Sequence, residues 1–422
     1  MKLFPLAAVH VRPALALSTC ALLAATACSG VTGNARVEPA EASGDGILRV
    51  GLVLDSTGDS SFLNDSQLAA AKLAVKEINA TGGHKGRPVE LLPVEAGQDA
   101  AAQAHALVAG KADVVIGPTD SSHAPAVIDV LSRARTPLIS PANTAAGLTG
   151  TDSGGYYFRT AAADVAQAPV LVKLAKNAGA ASVSVVYQEG AYGKDVADAI
   201  SEAAAQAGLE VAASEEFPAG EAGNAAGAAG EADADAVILV AREGAQGALA
   251  ELDNAGIAGP RIILSDGAFA RYGSKLGAKA LEGARAVVPG QLPSAGFQER
   301  LLAVDGQLKD VSFAAETYDA VTLAALAAAR AQDDAGRSIA ANLLSVSGGS
   351  AGGSAEAPAC STYKDCVTGL ATGAEINYDG ESGPVAFDAN GDITTANFSV
   401  FTYGADNLPA PSGSETAGRP GS

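Results

Sequence analysis

Short apolar runs rich in β-branched residues recur along the chain, each followed by a longer Ala-rich stretch. The clearest are Val89–Val94, Val114–Ile116, Val183–Val186, Val237–Val240 and Ile262–Leu264. Strands buried on both faces read this way, and the stretches between them are long enough for crossover helices. The alternation predicts βαβ units and an α/β class with parallel sheets. In the first helical stretch Leu68, Ala71, Val75 and Ile78 fall on one face, which marks a core face with no ligand role. Asn64 or Asp65 is placed to cap its start, and Gly82 to end it. Residues 46–406 are too many for one ordinary domain and suit two.

Two of the runs end in unusual polar exits. Ile116-Gly-Pro-Thr-Asp-Ser-Ser122 leaves a strand and opens the helical stretch Ser122 to Arg135. That stretch leads to a second strand and exit, Pro137-Leu-Ile-Ser-Pro-Ala-Asn-Thr144. In an open α/β sheet such strand exits form the ligand crevice, and free N–H groups at a helix start favour an anionic group.

The beginning of the chain reads as a processing segment. Lys2 and Arg12 precede the apolar run Ala14 to Ala25, and Ala25-Thr-Ala-Cys28 resembles a lipoprotein signal. This predicts a signal peptide over 1–27 and lipidation of Cys28, followed by a flexible tether over 28–45. Ordinary secretion with cleavage after Ala27 is the alternative. No later segment is apolar and long enough to span a membrane, so the lipid alone would hold the protein there. Loss of Lys2 and Arg12 takes the formal charge from −20 to −22. Nucleic-acid binders need basic faces, so a nucleic-acid partner is not expected.

Cys360 and Cys366 remain after the signal. In an exported chain so close a pair is most simply a disulfide closing a small loop. A metal site is not expected, because neither a second Cys pair nor a nearby His accompanies it. Ser347 to Ala357 is rich in Gly, Ser and Ala and reads as a flexible loop. Asn390-Gly391 is a turn signal between Pro384–Asp388 and Phe398–Tyr403. Residues 407–422 read as a disordered tail.

Taken together, the segments Ile47–Asp55, Gln67–Asn79 with Gly82-Gly83, the two polar exits, Phe158-Arg-Thr160 with Asp164, Val186–Lys194, Gly383–Asp388 and Asn390-Gly-Asp392 resemble the leucine/isoleucine/valine-binding family of type I periplasmic substrate-binding proteins. These are the extracytoplasmic receptors of ABC importers. The resemblance implies two Rossmann-like lobes with parallel sheets, joined by a three-crossover hinge. Lobe one would comprise residues 46–163 completed by 289–384, and lobe two residues 164–288 completed by 385–406. A small amino-acid-like ligand, most naturally a branched-chain amino acid, would lie in the cleft and be passed to an ABC permease and its ATPase. No cofactor is implied. A sensor of the same fold that reports to a membrane signalling partner is the competing reading. Other ligands of the family, such as acidic amino acids, amides or urea, also stay open.

The same resemblance points to site residues. Ser121 and Ser122, by hydroxyl and N–H groups, would receive the ligand carboxylate; an ordinary helix cap is the other reading of Ser121. Ala142 and Thr144 match positions that meet the ammonium and carboxylate, or are a plain strand exit. Tyr192 sits where the family presents an aromatic ring, and Asp266 where it places an acidic partner for the ammonium. Asp164 is either a hinge residue or a ligand contact. Two positions depart from the family: Arg242 stands where an aromatic residue is usual, and Phe62 or Leu63 where Tyr is. An arginine in the cleft would suit a second carboxylate, unless it pairs with Glu243 or faces solvent.

Enzyme signatures fail in context. Gly348-Gly-Ser-Ala-Gly352 matches a nucleophile pattern but lies in a low-complexity run without the required strand and helix. Ser361-Thr-Tyr-Lys364 lacks its companion motifs. Phosphate-loop and zinc-protease patterns are missing. His84, His105 and His123 are dispersed and read as surface residues, with His123 of interest for its place beside Ser121.

Overall fold

The computed structural model describes residues 1, 33–55, 63–94, 97–349 and 357–418. Its first sheet holds β1 (Arg49–Leu52), β2 (Glu90–Leu91), β3 (Val114–Ile116), β4 (Leu138–Ser140) and β5 (Tyr157–Arg159). All pair in parallel, in the order β2-β1-β3-β4-β5. The crossovers are α1 (Asn64–Ala80), α2 (Ala100–Ala109) and α3 (Ala124–Arg133). Every residue of β3, β4 and β5 is buried, which is why these strands read as unbroken apolar runs.

The chain then crosses into a second sheet. There β6 (Ser182–Gln188), β7 (Glu210–Phe217), β8 (Ala236–Val240), β9 (Ile262–Leu264) and β10 (Arg285–Pro289) alternate with α4 (Ala168–Asn177), α5 (Ala191–Ala207), α6 (Gly223–Glu231) and α7 (Ala245–Asn254). It returns to the first lobe through α8 (Ala295–Leu302), α9 (Ala314–Ala331), α10 (Gly336–Val346), β11 (Ala359–Cys360), α11 (Tyr363–Ala371), β12 (Asn377–Gly380) and β13 (Gly383–Pro384). A last crossing delivers β14 (Thr395–Tyr403) and β15 (Pro409–Gly418) to the second sheet, β14 antiparallel beside β10 and β15 antiparallel beside β14. That sheet runs β15-β14-β10-β9-β8-β6-β7. Its parallel part repeats the order of the first sheet. In both, the strand order reverses next to the first strand of the lobe, between β1 and β3 and between β6 and β8. A ligand crevice is expected outside the strand ends at such a switch point.

The α9 helix is the centre of lobe one. Fifteen of its eighteen residues are buried, and it lies among α1, α10 and the sheet. A helix apolar all round belongs inside, and its alanines let neighbours approach closely. In α1, Ala71, Val75 and Ile78 are buried as their periodicity predicts, while Leu68 is only partly covered. Neither Asn64 nor Asp65 caps the helix; the Asn64 amide instead donates to the Asp55 carbonyl at 2.7 Å.

Three expectations need correction. The tail is not disordered over 409–418, because β15 pairs with β14 along its length; residues 419–422 lie outside the described part. The tether is docked rather than free over 33–46. Asp333 accepts N–H bonds from Ser43 and Gly44, and Asp334 from Asp45 and Gly46, while Arg36 stacks on Phe158 at 4.9 Å. His84 is not a surface residue: it is 1 % exposed, 3.8 Å from Asp334. The signal segment, Cys28 and most of the Gly/Ser-rich loop lie outside the described residues. Among the described residues, no helix is long and apolar enough to cross a membrane.

Cys360 and Cys366 form the expected disulfide, with Cα atoms 5.4 Å apart, tying the end of β11 to α11. The Ser-x-x-Lys run is the start of that helix, where the Thr362 hydroxyl accepts the Asp365 N–H at 3.1 Å. Reducing the bridge, or replacing both cysteines with Ser, is expected to lower stability by about 2 kcal/mol, from loop entropy alone. Denaturant titration with and without reductant measures this; an unchanged midpoint would rule it out.

Candidate functional site

The exits of the two sheets face each other across a cleft of about 470 Å³. On the lobe-one side, Gly117 ends β3 with φ +117°. A Cβ there would lie 2.2 Å from the Val53 carbonyl oxygen, so only glycine lets this exit press against the end of β1. The turn that follows is held from below. The buried Asp55 carboxylate accepts the Asp120 N–H at 2.9 Å and faces His123 Nδ1 at 2.8 Å. Gln67 Nε2 donates to the Thr119 hydroxyl at 2.6 Å.

Ser121 does not cap α3, whose N-cap is His123 with no side-chain cap bond. Its Oγ accepts the N–H groups of Thr144 and Ala145 at 3.2 and 3.3 Å. This stitches the exit of β3 to the exit of β4 and leaves the hydroxyl proton to donate. Ser121, Ala142 and Thr144 all line the cleft. Ser122 does not: its N–H and hydroxyl both donate to Asp120 Oδ1, at 2.8 and 2.7 Å. A ligand would have to break both bonds to use it.

On the lobe-two side, Asp266 follows β9 and lines the cleft. It is a paired residue and not a solvated turn residue. Its Oδ1 accepts from Gln167 Nε2 at 2.6 Å and from the Tyr192 hydroxyl at 2.5 Å, and its N–H donates to Gln167 Oε1 at 3.0 Å. Tyr192 is thus placed differently from expectation. It stands behind Asp266, its oxygen also 3.0 Å from Ser265 Oγ, and its ring lies beneath the Arg242 guanidinium at 4.1 Å. Burial, with the Asp266 charge, holds its hydroxyl protonated far above the usual tyrosine range.

Arg242 lines the cleft with half its side chain exposed, and it pairs with Asp164, not Glu243. The two carboxylate oxygens stand 3.1 and 3.0 Å from its guanidinium. Asp164 opens the segment after the first crossing and is 4 % exposed. Burial and the nearby Asp266 charge raise its carboxyl to about 7, while Arg242 and the Thr144 hydroxyl pull the other way. Thr144, Asp164, Arg242, Tyr192 and Asp266 therefore form one polar chain from lobe one to lobe two.

The rest of the lining is largely apolar: Leu63, Val288, Leu292, Val311, Phe313 and Phe401. Phe62 lies outside the described residues. Glu316, at the start of α9, closes the base beside the second crossing; a Cβ on Gly290 would lie 2.8 Å from its Oε1. Sequence reasoning missed Glu316, Phe313 and Gln167. The run Phe313-Ala-Ala-Glu-Thr-Tyr-Asp319 was the available signal, since it puts two acids and two aromatics at the start of an otherwise Ala-rich helix. Among the described residues no cluster suited to a metal ion occurs.

Two lobes of like topology, three crossings and a polar cleft at both switch points define a two-lobed binding protein. The comparison with known families agrees: the chain matches the periplasmic binding protein model over residues 47–401 and belongs to that family, whose members are solute-binding proteins and not enzymes. It is 31% identical over 166 residues to a Leu/Ile/Val-binding protein homolog of Brucella melitensis. That stretch covers 38% of this chain and 45% of the relative, so it spans less than half of that protein's length. A substrate-binding protein of a chemotactic signal transduction system in Halobacterium salinarum is 28% identical, with 83% of this chain and 84% of the relative aligned. The branched-chain amino acid transporter substrate-binding protein of Streptococcus pneumoniae, solved with isoleucine, shares the fold at a TM-score of 0.61 and 22% identity. The match covers 88% of this chain and all of that one.

Proposed function

We propose that the chain is the extracytoplasmic substrate-binding subunit of an ABC importer, held to the membrane by lipid on Cys28. It captures a free amino acid or close analogue between its lobes and presents it to a permease. One observation carries this reading: the cleft sets a hydroxyl donor on a helix-opening turn, Ser121, against a neutral-donor-bound carboxylate, Asp266, on the opposite lobe. An α-amino acid has the matching pair of charges, both groups carried on one carbon. Burying both against partners is favourable only when each is met. Closure of the lobes about the three crossings would complete the site.

The relative from a chemotaxis system, aligned over most of both chains, favours a second reading, in which the same cleft reports its ligand to a membrane signalling partner. A thermal-shift screen of about a hundred metabolites tests ligand capture. A true ligand at 100 times its dissociation constant stabilises by about 2.7 kcal/mol, and is recovered unchanged. If no amino acid or analogue stabilises the protein, the reading falls. Co-purification with permease subunits, as against a receptor, separates transport from sensing.

A further inference from the structure

The charges around the cleft are lopsided. Asp120, Asp266 and Glu316 line it with Arg242 as the facing cation, and both oxygens of the buried Asp164 already hold Arg242. An acidic ligand side chain would share Arg242 with Asp164, whose oxygens both lie on one terminal nitrogen of the guanidinium, and would stand near Asp266 and Glu316. Were it to draw Arg242 off, Asp164 would be left buried next to Asp266 without its counter-ion, and breaking a buried pair on one side is strongly unfavourable. Asp120 Oδ1 takes two donors from Ser122; Asp266 Oδ1 takes Gln167 and Tyr192, and its charge is assigned above to the ligand ammonium.

Glu316 differs from the other acids. Among the described residues, the donor that meets its carboxylate is its own backbone N–H. It sits where the crossings converge: Thr160 donates to its carbonyl at 2.9 Å, and Gly290 and Asn397 join it around a small recess beside the main cleft. The cleft that holds both Asp266 and Glu316 is also lined by Val288, Val311, Phe313 and Phe401, apolar surface suited to methylene groups.

We propose that Glu316 is the specificity residue of the cleft, and that the ligand is an α-amino acid whose side chain is an aliphatic stem ending in a cationic nitrogen. The proposal rests on the amino-acid reading above and adds the side-chain class. Its proton balance is measurable. Burial, with Asp319 one turn along α9, raises the Glu316 carboxyl to about 7. The other charged groups on the facing elements are Asp120, Asp266 and the Arg242–Asp164 pair. A ligand cation beside Glu316 would favour the ionised carboxylate, so binding near pH 6–7 releases a proton to the buffer.

Calorimetric titration of the intact chain with L-lysine, L-ornithine, L-leucine and L-glutamate, in buffers of different ionisation enthalpy, is the test. Lysine or ornithine is expected to bind at least about tenfold more tightly than leucine or glutamate, with proton release. Glu316→Gln is expected to weaken the basic ligands about tenfold or more, abolish that release and change leucine binding little. Leucine or glutamate as the tightest ligand, or unchanged lysine binding in Glu316→Gln, overturns the assignment. Tight leucine binding that is lost in Asp266→Ala would sink Glu316 alone and keep the amino-acid reading. Binding of none of the four by folded protein would overturn the Glu316 assignment and leave the amino-acid reading to the wider thermal-shift screen.

Discussion

Asp266→Ala is expected to weaken ligand binding by at least about tenfold while leaving the fold intact. The charge-assisted bond it removes is worth about 1.5–3 kcal/mol. The penalty grows because the ligand ammonium, once enclosed, loses its own carboxylate: Asp164 is paired with Arg242, Asp120 takes both Ser122 donors, and Glu316 is assigned to the ligand side chain. The donors around Asp266 tolerate its loss better. The Tyr192 oxygen keeps Ser265 and the Gly267 N–H, and the buried Gln167 keeps the backbone N–H of residue 266 on its Oε1. Ser121→Ala is expected to do less harm to affinity. It removes one hydroxyl donor and the acceptor that joins Thr144 and Ala145 to the β3 exit, but strands no charge. A second effect identifies the mechanism. With the Asp266 charge gone, the Asp164 carboxyl, held near 7 in part by that charge, is expected to titrate lower. Calorimetry and carboxyl-selective titration together check this. Wild-type affinity in both variants would mean that the cleft holds its ligand elsewhere.

The core strands were legible because burial on both faces leaves a plain mark. Val114–Ile116 and Leu138–Ser140 are wholly buried, and their Gly, Pro and Ser exits fall where the switch point of the sheet must lie. The pieces that escaped detection are held by backbone or by distant partners. Strand β15, Pro409–Gly418, is mostly exposed, with Ala417 its buried side chain. It stands on main-chain bonds to β14, with Pro409 and Pro411 tolerated on a sheet edge. Residues 43–46 have the composition of a linker, yet two carboxylates nearly 290 positions away, Asp333 and Asp334, hold their N–H groups. No local pattern encodes such a contact. The site divides in the same way. Ser121, Ala142, Thr144, Arg242 and Asp266 lie on strand exits, where the crevice rule could find them. Gln167 and Glu316 lie at helix starts beside crossings, and only the packing of the lobes brings them to the cleft. Tyr192 and Ser122 have the right addresses but face other protein groups.

Arg159 is expected to be the most sensitive single residue for stability. It is fully buried at the end of β5, and it holds three separate pieces of chain together. Its Nε and one terminal nitrogen meet the two oxygens of Asp392, in the third crossing, at 2.5 and 3.0 Å. The same terminal nitrogen donates to the Thr149 hydroxyl, and the other to the carbonyl of Ala145 at 2.9 Å. Burial opposes the charge, yet Asp392 raises the guanidinium above its ordinary range, so Arg159 stays charged. Arg159→Met keeps the volume of the stem but takes the counter-ion from a buried carboxylate. Such a one-sided break typically costs about 3–5 kcal/mol. Denaturant unfolding should show it as a lowered midpoint at constant slope. Because the Ala145 carbonyl borders Thr144, ligand affinity should fall as well, although Arg159 does not line the cleft. Pairing Arg159→Met with Asp392→Leu should recover much of the stability, since two apolar groups leave no buried charge behind. The affinity should not recover with it, because the carbonyl anchor is still missing. A loss under about 1 kcal/mol in Arg159→Met, the range of an exposed pair, would mean that the third crossing does not depend on this contact.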